Sequence, residues 1–155
     1  MTRAGQLAHF GSRFAPPLAL MGLIFALSAQ PSLDSGLGTI DFVGRKLIHA
    51  TEFGLLYLLW LRALGWRGQA RWTAAAIAIG YAITDELHQT FVSGRHGVPT
   101  DVLIDSTGVL VAALAAHRYA VSRADRRACE GRRERGVLRT RATEDARRRD
   151  EAPRN

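Results

Sequence analysis

Residues 83–105 read ITDELHQTFVSGRHGVPTDVLID, a stretch that holds Asp85, Glu86, His88, Gln89, Arg95, Asp101 and Asp105. An earlier run supplies Asp41, Arg45, Lys46, His49 and Glu52. Carboxylates beside imidazoles exchange protons, the raw material of general acid and base chemistry. Arginine adds a forked donor that grips phosphate or carboxylate through two bonds, and lysine adds a compact charge. Lys46 is the only lysine among twenty-one basic residues.

The same residues admit other readings. His49-x-x-Glu52 and Asp85-x-x-His88 put candidate metal ligands one helical turn apart on two segments, with Asp101 or Asp105 to add oxygens. The first pair reverses the Glu-x-x-His order of metal sites in four-helix bundles, and basic residues crowd it, so neither a metal nor any other cofactor is predicted. No G-x-S-x-G, no phosphate loop and no cysteine other than Cys129 is present, so no nucleophile motif marks an enzyme. A purely structural network that fixes helix register is the remaining alternative.

Helices must position these groups. Four segments meet the requirement of about 17–25 largely apolar residues per membrane span: residues 14–30, 42–64, 72–92 and 99–121. Pro16 and Pro17 suit the first turn of the first span, where a missing donor costs little. Ala26 and Ser28 would also suit a cleavage point, which makes a signal peptide the alternative for that segment. The connections, 31–41, 65–71 and 93–98, are short and predict an up-down antiparallel bundle of four transmembrane helices.

Depth and angle then bring the polar residues together. At 1.5 Å of rise per residue, His49, Asp85 and Asp105 each lie about 10 Å in from the same end of the bundle. Asp41, Arg45, His49 and Glu52 share one face of the second span. Asp85, His88 and Gln89 share a face of the third, one turn after Tyr81, while Glu86 is turned about 100° away. Asp101, Asp105, Gly108 and Ala112 form a face of the fourth that is polar outside and small inside, although Asp101 also suits a helix cap. Each charge near mid-bilayer costs about 2.5–3.5 kcal/mol, so these groups must be paired, hydrated or turned into the bundle.

Charge sets the expected orientation. Arg3, Arg13, Arg62, Arg67, Arg71 and Arg118 fall on one side if four spans alternate, which puts both termini in the cytoplasm and the acid-rich loops outside. Much of the net charge of +7 comes from residues 122–155, which hold twelve Arg against seven acids and are expected to be a disordered cytoplasmic tail near anionic lipid. The tail has no aromatic residue for base stacking, so nucleic acid is excluded as a partner.

SAQP at the end of the first span, KLIHATEFGLL in the second, and ITDELHQTFVSGRHGVPTDVLIDSTG across the last two resemble the VanZ-like family of small bacterial membrane proteins. The resemblance covers roughly residues 20–115 and leaves out the tail. It implies a multi-pass protein of the bacterial plasma membrane, and the founding member is associated with resistance to the glycopeptide teicoplanin. Motif positions matched here are Lys46, His49, Glu52, Phe53, Asp85, Glu86, His88, Gln89, Arg95, Asp101, Asp105 and Gly108.

The functional expectation is an outward-facing polar pocket built from Lys46, His49, Glu52, Asp85, Glu86, His88, Gln89, Arg95, Asp101 and Asp105. Membrane lipids surround it, and a lipid headgroup or anionic cell-wall precursor is the ligand class it suits. The alternatives are a membrane-embedded enzyme acting on a lipid-linked substrate, and a proton-coupled transporter. The latter would need an oligomer to provide alternating access.

Overall fold

A computed structural model describes residues 3–30, 39–66, 68–93 and 98–150. Four α-helices follow one another: α1 (Arg3–Ser28), α2 (Thr39–Leu64), α3 (Ala70–Gln89) and α4 (Pro99–Asp150). The described residues contain no strand. Most of the connection expected at 31–41, the four central residues of the one at 93–98, and Arg67 lie outside the described residues.

Two helices differ from the sequence expectation. The start of α1 was expected at the prolines, yet the helix begins at Arg3 and runs through Pro16 and Pro17. The two rings remove only the donors that would meet the carbonyls of Ser12 and Arg13, a loss that membrane helices tolerate. Pro17 is fully buried, so its ring packs in the interior. The tail expected to be disordered continues α4 to Asp150. Want of apolar residues denies that segment a core, but Ala, Arg and Glu are strong helix formers, and no proline follows Pro99 until Pro153.

The chain divides into two units, Met1–Ala116 and His117–Asn155. In the second, side chains from His117 to Gly136 are exposed apart from Gly131, and Arg123 lies 5.6 Å from the ring centre of Tyr119. In the first, the core is made by Ile24 of α1, Phe53, Leu56, Tyr57 and Leu61 of α2, the alanines of α3, and Val109 and Ala116 of α4. Ala74, Ala78 and Ala82 recur every four residues and are fully buried, so α3 offers α2 a smooth face for close approach. At the other end of the α2–α3 turn from that face, Gly65 takes a φ of +94°, a left-handed conformation that suits glycine and stops α2.

Polarity is distributed inside out. Leu18, Leu23, Leu47, Ile48, Leu55, Ile83, Leu87, Leu103, Leu110 and Leu114 are exposed, whereas Ser28, Asp85, Glu86, Gln89 and Asp105 are buried. Water would favour the reverse, and lipid favours this arrangement. Among the described residues, three stretches are long and apolar enough to cross a membrane: Phe10–Ser28, Val43–Leu64 and Pro99–Gly136.

Candidate functional site

The first half of the site joins α1 to α3. Ile24 and Ser28, one turn apart, are both buried, and the Ser28 hydroxyl donates to Oδ2 of Asp85 at 2.8 Å. One turn beyond Asp85, Gln89 Nε2 donates to the same oxygen at 3.0 Å. One turn before it, the Tyr81 hydroxyl donates to the Met21 carbonyl at 2.6 Å. Residue numbers rise together across these contacts, so α1 and α3 run in the same direction. Asp85 is only 3% exposed, and its other oxygen, Oδ1, has no hydrogen-bond partner among the described residues. Nδ1 of His88 is likewise buried and unpartnered there, while the His88 ring sits 4.3 Å from that of Phe25.

The second half is a ladder between α2 and α4. Lys46 forms an ion pair with Asp101, and one turn deeper Nδ1 of His49 lies 3.9 Å from Oδ1 of Asp105. A turn further in, Gly108 presses against the backbone of Ala50, where a Cβ on Gly108 would overlap the Ala50 carbonyl. Missing side chains let the two helices touch at backbone distance, and the ladder above them closes as a result. These contacts also rise together in number, so α2 and α4 are parallel to each other.

Glu86 links the two halves. Its Oε1 accepts the backbone N–H of Val98 at 2.6 Å, just before α4 begins. That bond holds the start of α4 against α3, and Asp101 N–H bonds the Val98 carbonyl at 2.8 Å to close the first turn. Asp85 stands within electrostatic reach of Glu52, Glu86 and Asp105, and Lys46 within reach of Glu86 and Asp105. Carboxyl groups from three helices thus share one region at one end of the bundle. Among the described residues, no group of three or more His, Cys, Asp or Glu is placed to hold a metal ion.

The family model described as VanZ/LLP1 matches residues 11–120. The chain belongs to the VanZ/LLP1 family. No curated protein and no solved structure matches it. The matched region of this VanZ/LLP1 membrane protein takes in every residue of the polar cluster and ends within α4, before most of the arginines. 

Of the residues expected to form the site, Lys46, His49, Asp85, Glu86, Gln89, Asp101 and Asp105 are brought together by the contacts above, and Glu52 stands within electrostatic reach of Asp85. His88 lies at the α1 side of α3, against Phe25. Arg95 lies outside the described residues, as does the side chain of Asp41. Sequence reasoning missed Ser28, which it treated only as a small residue. The signal was a lone hydroxyl at the polar end of an apolar segment, inside the SAQP motif.

Proposed function

We propose that this VanZ/LLP1 protein crosses the bacterial plasma membrane four times with both termini in the cytoplasm, and that its outer polar cluster recognises the headgroup of a lipid or lipid-linked cell-wall precursor. That recognition would serve the cell envelope and underlie teicoplanin-type resistance. The observation that carries the reading is the convergence of Ser28, His49, Asp85 and Asp105, one from each helix, inside an apolar exterior. Polar groups drawn from every helix to one end suit a ligand.

Crossing by α3 is supported by direction, not average hydropathy. Its acids Asp85 and Glu86 are buried, while Ile83, Leu87 and Phe91 around them are exposed. Arg62 and Arg71 near the opposite end from the cluster support the cytoplasmic assignment of that end. Lys46 is engaged by Asp101, and Arg95 has the forked donor suited to phosphate or carboxylate.

The test is teicoplanin susceptibility in a Gram-positive host carrying equal membrane amounts of wild type, Asp85→Asn, Arg95→Gln or Asp105→Asn. Protection by wild type alone is expected. Equal protection by all three variants would make the cluster structural, and no protection by wild type would remove resistance from the reading.

A further inference from the structure

Building on that reading, we propose that the cluster takes a primary ammonium group, carried by a lipid headgroup or a cell-wall component, at Oδ1 of Asp85. Four acids of the cluster differ in the contacts they make. Asp101 is paired with Lys46, and Asp105 faces His49. Glu86 accepts the Val98 N–H. Asp85 is satisfied on one side only: Ser28 and Gln89 both donate to Oδ2, and Oδ1 remains without a partner among the described residues although the residue is 3% exposed.

A buried carboxylate oxygen left without a donor is costly, and the cost rises where the medium is apolar. Glu52, Glu86 and Asp105 stand within electrostatic reach of Asp85, so a cation there is favoured over an anion. A group that answers both needs must donate hydrogen bonds and carry positive charge.

Geometry narrows the class further. His88 follows Asp85 by three residues on the same helix, and its buried Nδ1 is also unpartnered. An ammonium has three N–H donors and no acceptor, so it can answer more than one orphaned acceptor. A quaternary ammonium has none, and its methyl groups need an aromatic cage for recognition. Among the described residues, the ring nearest His88 is the single Phe25, stacked on the imidazole itself. The site therefore distinguishes a primary amine from its trimethylated form.

The experiment measures thermal unfolding of the purified full chain in nanodiscs. One set contains phosphatidylglycerol alone, a second adds phosphatidylethanolamine, and a third adds phosphatidylcholine. A parallel titration adds soluble glycerophosphoethanolamine to protein in detergent. Stabilisation by phosphatidylethanolamine but not by phosphatidylcholine is expected, with the half-maximal lipid fraction at least about ten-fold higher in Asp85→Asn, as for loss of a charge-assisted bond. If the soluble amine stabilises equally well, the proposal stands and the source is a free or polymer-borne amine; if only the lipid does, the source is the bilayer. Equal response to the ethanolamine and choline lipids overturns the ammonium assignment while headgroup recognition survives. If no lipid moves the midpoint, both fail. The wild-type comparison of the two lipids needs no variant, so it decides even if Asp85→Asn does not fold.

Discussion

Gly108→Ala isolates the contact on which the α2–α4 half of the site rests. A Cβ at this position meets three backbone atoms of Ala50, among them the carbonyl carbon at 2.6 Å and Cα at 2.9 Å. Backbone cannot rotate aside as a side chain can, so the helices must separate. Overpacking of this kind costs about 1–3 kcal/mol. Replacing glycine by alanine inside a helix returns about 1 kcal/mol of propensity. With the obstruction made entirely of backbone, the upper part of the cost applies, and a net loss of about 1–2 kcal/mol is expected. Gly54→Ala, whose Cβ would lie 2.9 Å from the Gly108 carbonyl oxygen, should lose less. Gly22→Ala and Gly80→Ala, with nothing within 4 Å of the added carbon, should be neutral or slightly stabilised. The assay is reversible unfolding in mixed SDS micelles, comparing the four midpoints. The reasoning is refuted if Gly108→Ala unfolds no earlier than Gly80→Ala. Because Gly108 follows Asp105 by three residues and Ala50 adjoins His49, the same variant should also widen the His49–Asp105 approach and weaken teicoplanin protection.

Other outcomes follow from individual contacts. Ser28→Ala removes a donor from buried Asp85 and should cost about 1.5–3 kcal/mol in the same unfolding assay; a change of a few tenths would show that the bond carries little. Lys46 and Asp101 each keep roughly a fifth of their side-chain exposure, so a double-mutant cycle between Lys46→Ala and Asp101→Ala should give a coupling of about 1 kcal/mol or less. A coupling several times larger would mean that the pair is more secluded than its exposure indicates. Cys129 is exposed and is the only cysteine, so a membrane-impermeant maleimide should label it in inverted vesicles but not in intact cells; the opposite pattern would reverse the proposed orientation.

Legibility of the fold tracked how local each cause was. Apolar runs gave the helices away because hydropathy accumulates over neighbours in sequence, and glycine at 65 marked the end of α2 through its own backbone freedom. The prolines of α1 misled because their preference for a first turn is a tendency, whereas the interior that receives Pro17 is a tertiary property. The tail differs for the opposite reason: its composition denies it a core, while its Ala, Arg and Glu favour the helical geometry in which α4 continues. Ser28 was overlooked because its partner lies 57 residues away, on a helix whose approach no spacing within α1 reports.

By itself the sequence determined that this is a helical membrane protein, that Glu52, Asp85, Glu86, Asp101 and Asp105, with His49 and His88, fall toward one end of the apolar segments, and which motif positions it shares with the VanZ/LLP1 family. Those properties follow from hydropathy and from the 3.6-residue period, both of which act along a single segment. Tertiary structure alone decided the pairings: Lys46 with Asp101, His49 beside Asp105, Glu86 with the Val98 N–H, and two donors on one oxygen of Asp85 with none on the other among the described residues. Partner choice depends on how closely helices approach, and that distance is set where Gly108 meets Ala50 and where the alanines of α3 lie buried. Small residues carry no charge and form no motif of their own, yet the space they leave is what brings the charges within reach.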